Sequence, residues 1–325
     1  MRSPSNEFEE TSSGRALAGL IGIFTKEATV GPIHLNGREY KLLLKPTKFT
    51  GDPSVALASN FWNHHLKPII NRQLDKRSGG KVRSKGHFAA AKIRSVRFWD
   101  TKRHVLASCD LSLRQRGKTL DSDGEQEITL KLRTSDLFIS GLTAVTGSHP
   151  DAETKLEEDI APLQVQLSRS SKGRKVVADY GNTRSRFSRS TTQPLAADEI
   201  PGTLAQACEL FPSLEKDLLR GDQRDFSLKT RLMPGPSIEE HVFKGPKVEL
   251  GSGISGEFAL TFWHFVGARR RIPDVREISF RCSTDDGPMR LRAAWRAHLL
   301  FVAMQKELAG WVNAEDSSKT ALALP

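Results

Sequence analysis

The stretch RSVRFWDTKRHVLASCDLSLRQRGKTLDSDGEQEITLKLR, residues 94–133, contains three runs with the alternating pattern of β-strands. Alternation gives the second and third runs, LSLRQR and ITLKLR, one polar face each. Those faces carry Ser112, Arg114, Arg116, Thr129, Lys131 and Arg133. Gly117 and the Asp123-Gly124 pair favour a turn between the runs, so we expect antiparallel neighbours. Two such strands present four cations to one space, which is either open to water or wrapped around an anion.

The composition is that of a basic chain with enough apolar material for a substantial core. The chain has 325 residues, of which 38% are hydrophobic, and this allows one large domain or two small ones. A net charge of +11 favours an anionic partner such as nucleic acid, polyphosphate, a nucleotide or an acidic membrane surface. The three widely spaced cysteines, Cys109, Cys208 and Cys282, suggest neither a disulfide framework nor a CxxC metal site. A reducing, cytoplasmic setting is the simpler interpretation.

The first thirty residues have the composition of a flexible leader. The start, MRSPSNEFEETSSG, is polar and acidic, whereas a signal peptide is basic and then apolar. The apolar run Leu17 to Phe24 is too short to span a bilayer, and core packing is favoured over an interfacial helix. We therefore expect an unexported, cytoplasmic protein that does not engage a membrane.

Several further runs have strand-like alternation with charged residues on one face. In GREYKLLL, Glu39 and Lys41 share a face, and Pro46 ends the run. SLKTRL groups Ser227, Lys229 and Arg231, while EFALTFWHFV and REISFRC predict two late strands. In ETKLEEDI the aligned residues are Glu153, Lys155, Glu157 and Asp159. A charged surface helix is the alternative for this last run, and the strand is favoured.

Helices are expected at three places. Asp52 and Pro53 favour a helix start, followed by a periodic run that Pro68 should kink or split. Within it, the adjacent His64 and His65 are interpreted as ordinary histidines rather than metal ligands. Two short helices are predicted between Asp198 and Arg220. A final amphipathic helix has its apolar positions at Leu291, Trp295, Leu299, Val302 and Leu308.

Two segments between these elements have the composition of irregular structure. The basic, serine-rich residues 169–189 are interpreted as either a mobile loop or a nucleic-acid-binding arm. The turn-rich residues 234–256 are typical of a decorated hairpin. Since the strands lack a βαβ rhythm, we expect an α+β protein with an antiparallel sheet or barrel and a few helices.

The central stretch resembles the CYTH superfamily, the triphosphate tunnel metalloenzymes, whose members carry a YFDTxxxxLxxxxxxLRxR run followed by a TLK strand. The matching residues are Phe98, Trp99, Asp100, Thr101, Leu106, Leu113, Arg114, Arg116 and Lys131. GREYK resembles the ExExK signature of that family, KLEED its RxExE run, and EISFR, Glu277 to Arg281, a late ExExE-like strand. The resemblance spans about residues 35–311. It implies one closed antiparallel β-barrel domain over residues 31–311, with flanking helices and a frayed tail over residues 312–325.

The departures from the family pattern fall mainly on carboxylates. Gly37 stands at the first glutamate of ExExK, Lys155 replaces the arginine of RxExE, and Asp159 replaces its last glutamate. In EISFR only Glu277 is acidic. The phosphate-binding cations are therefore better preserved than the metal-binding carboxylates.

The resemblance also implies roles for individual residues. Phosphate binding would fall to Arg114, Arg116, Lys131, Arg133, Lys155, Lys229 and Arg231. Mg²⁺ or Mn²⁺ would be held by Glu39, Glu157, Asp159 and Glu277. Lys41 would lie near the terminal phosphate, and Lys41 and Glu157 would be the catalytic residues.

The function expected from this resemblance is metal-dependent hydrolysis of inorganic triphosphate or of another small molecule that contains a triphosphate. A catalytically impaired module that binds polyphosphate or a nucleotide is the alternative, motivated by the missing carboxylates. An adenylate cyclase of class IV type and a nucleic-acid-binding protein are less favoured.

Overall fold

The computed structural model describes residues 33–78, 84–120, 125–170, 173–219, 226–267, 275–284, 288–313 and 319–325. The expected leader over residues 1–30, the run Leu17 to Phe24 and the Asp123-Gly124 turn lie outside the described residues. Among the helices of the described part, none is both long and apolar enough to cross a membrane.

Eleven strands and six α-helices make up the described part of the chain. The strands are β1 (Gly37–Leu44), β2 (Ser84–Lys85), β3 (Lys92–Thr101), β4 (Leu111–Gly117), β5 (Gln126–Thr134), β6 (Glu153–Ser170), β7 (Gly173–Leu195), β8 (Leu232–Pro234), β9 (Ser237–Gly251), β10 (Ile254–Val266) and β11 (Val275–Ser283). The helices are α1 (Val55–Phe61), α2 (Lys67–Ser78), α3 (Val105–Ser108), α4 (Leu137–Leu142), α5 (Leu204–Leu210) and α6 (Leu291–Glu307). Short 3-10 turns lie at Pro46–Lys48, Ala197–Glu199 and Thr320–Leu322, and π-helical turns at Trp62–Leu66 and Leu214–Leu219.

Nine of the strands close into a barrel. Their order is β9-β10-β11-β1-β6-β7-β5-β4-β3, and β3 pairs back onto β9. All of these pairs are antiparallel except β1 with β6, which is parallel. The barrel is therefore mixed, not purely antiparallel as expected. A hairpin forces its strands to be antiparallel, but β1 and β6 are separated by three other barrel strands, so their relative direction is free.

Apolar side chains lie outside most of the barrel wall and polar ones inside. On β1, Tyr40 and Leu42 face outward, and Tyr40 stacks on Phe280 with ring centroids 4.6 Å apart. This core is shared with α1, α2 and α6. A second core covers the outer face of β4 and β5, where Leu113 and Leu130 pack against Leu204 of α5. The strand alternation predicted for β1, β4 and β5 is confirmed.

A third, smaller apolar cluster involves residues of β3, β9, β10 and β11 together with the last residues of the chain. It contains Val96, Phe98, Ile238, Trp263, Val275 and Ala323. Ala323 is fully buried, so this part of the tail that was expected to fray is packed against the cluster. Phe98 and Trp263 also line the cavity inside the barrel, which places this cluster against one part of the lumen. We call it the apolar floor.

Pro68 does not split the first long helix. The chain continues from α1 through the π-helical turn into α2, and the backbone N–H of Lys67 bonds to the carbonyl of Trp62. A proline has no backbone N–H to donate within a regular helix. The wider π-helical turn directly before Pro68 accommodates it without ending the helix.

The final helix buries a different face from the one predicted. Leu291 is 85% exposed and Trp295 is 55% exposed, although both were expected in the core. The buried residues are Ala293, Ala297, Leu300, Phe301, Ala303, Met304 and Gln305. The small alanine side chains let the helix backbone approach its neighbours closely. The buried face is therefore the one that carries the alanines, and Leu291 and Trp295 lie on an adjacent, exposed face.

Three other segments also differ from expectation. Residues 173–189, from the segment expected to be a mobile loop or arm, belong to β7: residues 173–183 pair with the end of β6 as a two-stranded hairpin, and the strand pairs with β5 in the barrel from residue 187 onward. Lys229 lies in a turn, and Arg231 pairs with Thr203 in an isolated β-bridge next to β8, so neither lies on a strand of the barrel. Residues 237–251 form the single strand β9, which pairs with both β10 and β3.

Asp100, in the FWDT motif, has a structural role. Its buried carboxylate accepts hydrogen bonds from the backbone N–H groups of Thr101 (2.7 Å), Leu106 (2.9 Å) and Ala107 (2.9 Å). The Thr101 hydroxyl accepts one from the N–H of Val105 at 3.0 Å. The motif thus fixes the connection from β3 through α3 to β4, and so places the cations of β4.

Replacing Asp100 by alanine is expected to lower the free energy of unfolding by about 2–3 kcal/mol, because three backbone donors lose their acceptor and two of these bonds are fully buried. Asp136→Ala is the matched control, since Asp136 caps α4 at an exposed position; its loss should be near 1 kcal/mol. Urea denaturation measures both. Equal losses in the two variants would contradict the role assigned to Asp100.

Candidate functional site

The barrel lumen contains a cavity of about 500 Å³. In the described part of the chain, ten cationic residues line this cavity: Lys41, Arg94, Arg114, Arg116, Lys131, Arg133, Arg184, Arg186, Lys244 and Lys319. Six acidic residues of the same part also line it: Glu39, Asp110, Glu157, Asp159, Glu240 and Glu277. Ten cations against six carboxylates leave a formal excess of four positive charges at neutral pH. Such an excess in a closed space favours a polyanionic ligand.

Asp159 is the centre of one charged cluster. Its side chain is 2% exposed and contacts Lys41 (2.7 Å), Arg133 (2.7 Å) and Lys131 (3.4 Å). Lys41 also contacts Glu39 at 2.9 Å. These residues come from β1, β5 and β6, and the parallel pairing of β1 with β6 sets Glu39 opposite Asp159.

The charges in this cluster stabilise one another. Burial alone would raise the pKa of Asp159, but Lys131, Lys41 and Arg133 hold that pKa well below its usual range. Burial alone would lower the pKa of Lys41, but Asp159 and Glu39 raise it. The ammonium and the carboxylate are therefore both charged over the whole physiological pH range.

Glu240, on β9, is the centre of a second cluster. Its carboxylate contacts Arg94 at 2.8 Å and Arg116 at 3.4 Å, and accepts a hydrogen bond from the indole N–H of Trp263 at 2.9 Å. Burial opposes ionisation, yet Arg116, Lys319 and Arg94 lower the pKa of Glu240 to about 2. Glu240 thus holds two guanidinium groups in place beside the apolar floor.

Arg114 lies between neighbouring cations without a counter-ion of its own. Its Nη2 donates to the hydroxyl of Thr129 at 3.4 Å, and no described carboxylate forms an ion pair with it. Its Nε–H is buried without an acceptor among the described residues. Burial and the neighbouring Arg116 lower the pKa of Arg114 to about 9. A half-buried guanidinium with free donors is costly unless an anion completes it.

The carboxylates expected to hold Mg²⁺ or Mn²⁺ are all engaged by cations of the chain. Glu157 contacts Arg281 at 2.9 Å, and Glu277 contacts Lys319 at 2.6 Å. Glu39 and Asp159 both contact Lys41. No group of three histidine, cysteine or acidic side chains in the described part of the chain is arranged to hold a metal ion. In this arrangement the four carboxylates do not fit a divalent cation, which requires several free oxygen ligands.

Comparison with known proteins found no matching family model and no match among curated proteins. Solved structures similar to the chain include a Hippeastrum protein, a candidate adenylyl cyclase described as having a dominant triphosphatase activity. It is 13% identical, with 87% of this chain and 93% of that chain covered and a TM-score of 0.36. A candidate adenylate cyclase from Bacillus halodurans is also 13% identical, with 87% and 95% covered and a TM-score of 0.36. One from Vibrio parahaemolyticus is 12% identical, with 87% and 96% covered and a TM-score of 0.29.

Most of the residues selected through the CYTH motifs meet in the lumen. Those that line it are Glu39, Lys41, Arg114, Arg116, Lys131, Arg133, Glu157, Asp159 and Glu277. Lys155, Lys229 and Arg231 are not among its lining residues. Lys155 lies near the start of β6, where its exposed side chain pairs with Glu153 at 3.0 Å. Lys229, in a turn, and Arg231, in an isolated β-bridge, are both exposed.

Seven charged lumen residues were missed from the sequence: Arg94, Asp110, Arg184, Arg186, Glu240, Lys244 and Lys319. A signal for two of them was present, because Arg184 and Arg186 alternate with Ser188 and Ser190 on one face of β7. Glu240 and Lys244 were not recognised because residues 234–256 have the composition of a turn-rich hairpin, whereas both residues lie on the long strand β9. Lys319 lies in the tail that was expected to fray.

Proposed function

We propose that the barrel lumen binds a linear triphosphate, either inorganic triphosphate or the triphosphate group of a small molecule. The observation that carries this proposal is Arg114, a half-buried guanidinium with free donors and no carboxylate partner among the described residues. A phosphoryl oxygen is the natural acceptor, because guanidinium groups form short, charge-assisted hydrogen bonds with phosphate.

The arrangement of the other cations favours a chain of phosphates over a single one. Arg94 and Arg116 lie with Glu240 on β3, β4 and β9, whereas Lys131 and Arg133 lie with Asp159 on β5 and β6. Arg114, on β4, faces Thr129 of β5 and so lies between these two clusters. Within each cluster one buried carboxylate keeps the cations together in the absence of ligand.

The direct test is calorimetric titration with tripolyphosphate, pyrophosphate and orthophosphate. We expect one site per chain and an affinity that increases with the number of phosphates, since a longer chain reaches both clusters. Affinity that is equal for all three anions would contradict binding of an extended chain, and absence of binding would reject the proposal.

Affinity should fall in the alkaline range as Lys131 loses its charge. Burial, the largest cause, lowers the pKa of Lys131 below its usual value, although Asp159 opposes this shift. A bound polyanion favours the charged ammonium, so affinity is complete at neutral pH and declines as the pH rises through the pKa of Lys131. Titrations from pH 7 to pH 10 measure this decline. The decline should be smaller in Lys131→Gln; an equal decline in that variant would assign the effect to another group.

Hydrolysis of the bound triphosphate is a second candidate function. It is favoured by Glu39 and Asp159, two carboxylates in contact with the same lysine inside the lumen, since an ionised carboxylate can accept a hydrogen bond from a water molecule and so orient it. Despite burial, nearby cations lower the pKa of both carboxylates, so their part would be to orient the water rather than to take its proton. Phosphate release should be measured with Mg²⁺, with Mn²⁺ and in EDTA. A folded protein that binds tripolyphosphate but releases no phosphate would reject hydrolysis and leave the binding function.

A further inference from the structure

The metal-binding carboxylates expected in the lumen are neutralised by the chain itself. We propose that the barrel binds its oligophosphate without a divalent metal, with Arg281 and Lys319 as built-in counter-ions of Glu157 and Glu277. This inference rests on the proposed function and concerns what neutralises the site when the phosphate chain enters.

Arg281 and Gly37 form a sterically matched pair. The Nε of Arg281 contacts Glu157 at 2.9 Å, and its Nη2 donates to the carbonyl of Asn36 at 3.1 Å. A Cβ placed on Gly37 would lie 2.7 Å from Nη2 and 2.8 Å from Cζ of this guanidinium. The guanidinium therefore occupies the space that any side chain at position 37 would take. Positions 37 and 281 both lack the acidic residue of the family motifs. The two differences are coupled, because Arg281 occupies the space that Gly37 leaves free.

Lys319 is held beside Glu277 by the packing of the segment that carries it. Its ammonium contacts Glu277 at 2.6 Å and lies 5.1 Å from the ring centroid of Trp263. Four residues later, Ala323 is fully buried in the apolar floor, where its carbonyl lies so close to Gly235 that a Cβ on that glycine would clash with it. The ammonium is consequently fixed against a carboxylate that is only 7% exposed.

A divalent ion would have to displace these cations before it could bind the same oxygens. Mg²⁺ and Mn²⁺ need several oxygen ligands, and Glu157 and Glu277 would each leave a cation unpaired in the lumen if they turned to a metal. Glu39 and Asp159 already neutralise Lys41. The remaining positive charge of the lumen is then available to the phosphate oxygens directly.

The sign of the metal effect on tripolyphosphate affinity tests this inference. Divalent metals bind tripolyphosphate in solution, so added Mg²⁺ or Mn²⁺ lowers the concentration of the free anion. We expect apparent affinity in EDTA to equal or exceed that with either metal. Affinity that is ~10-fold or more tighter with metal would overturn the inference and leave triphosphate binding standing. Absence of binding in every buffer would reject the proposed function and this inference together.

A second experiment uses Mn²⁺ alone, detected by electron paramagnetic resonance. The unaltered protein should bind no stoichiometric Mn²⁺ at ~100 µM, a concentration at the weak end of metal-site affinities. The double variant Arg281→Gln, Lys319→Gln frees both carboxylates and should gain a Mn²⁺ site. The matched control is Arg72→Gln, Lys85→Gln, which breaks two exposed ion pairs, with Glu307 and Glu249, by the same chemical changes. Stoichiometric Mn²⁺ binding by the unaltered protein would overturn the inference even if the double variant did not fold.

Discussion

Asp159→Asn is expected to lower the free energy of unfolding of the ligand-free protein by about 3 kcal/mol, because it removes the buried negative charge shared by Lys41, Lys131 and Arg133. The side chain is nearly isosteric, so the loss reports charge rather than volume. The same variant should bind tripolyphosphate more tightly than the unaltered protein, since the ligand replaces the missing anion. Stability and affinity therefore change in opposite directions.

Thermal or urea denaturation with and without tripolyphosphate measures both effects. The increase in stability on adding a saturating ligand should be larger in Asp159→Asn than in the unaltered protein. Asp151→Asn makes the same chemical change at a side chain that is 80% exposed and should alter stability by less than ~0.5 kcal/mol. A loss below ~1 kcal/mol in Asp159→Asn, with unchanged ligand stabilisation, would contradict the role of Asp159 as the counter-ion of this cluster.

Arg114→Gln should reduce affinity for tripolyphosphate by roughly 10- to 100-fold, the range for loss of charge-assisted hydrogen bonds worth about 1.5–3 kcal/mol. It should leave the stability of the ligand-free protein unchanged or slightly higher, because the lost guanidinium is half-buried beside Arg116 without a carboxylate partner among the described residues. A residue that mattered only for packing would lower stability and affinity together.

Calorimetry and urea denaturation on the same preparations separate these cases. Arg103→Gln is the matched control, since Arg103 is exposed and is not a lining residue of the cavity. This control should keep both affinity and stability. A destabilised Arg114→Gln protein with unchanged affinity would show that Arg114 serves the fold and not the ligand.

The part of the site on β4 and β5 could be predicted because its strands alternate cleanly. Leu111 and Leu113 lie on the core side of β4, so Arg114 and Arg116 had to face the other way. On β7 the outward side chains include Arg189, which donates hydrogen bonds to the carbonyls of Ser140 and Gly141 at the end of α4. With polar residues on both faces, the strand resembles a loop in sequence.

Two other features depend on contacts between distant parts of the chain. The pairing of Lys319 with Glu277 joins residues 42 positions apart and has no local pattern. The compensation between Gly37 and Arg281 becomes visible only through the register of β1 and β11, in which Glu39 lies opposite Arg281. In the sequence, Gly37 and Arg281 are only two positions without the expected carboxylate. In the structure, Arg281 supplies a cation, and Gly37 leaves room for it.

The most direct test of oligophosphate binding in the lumen is a crystal structure of the protein grown with tripolyphosphate in EDTA, where no divalent metal competes for the anion. We predict one phosphate chain inside the barrel, with phosphoryl oxygens within hydrogen-bonding distance of Arg114 and Lys131. A well-ordered structure in which the lumen remains empty, or in which tripolyphosphate binds only outside the barrel, would contradict the proposed function.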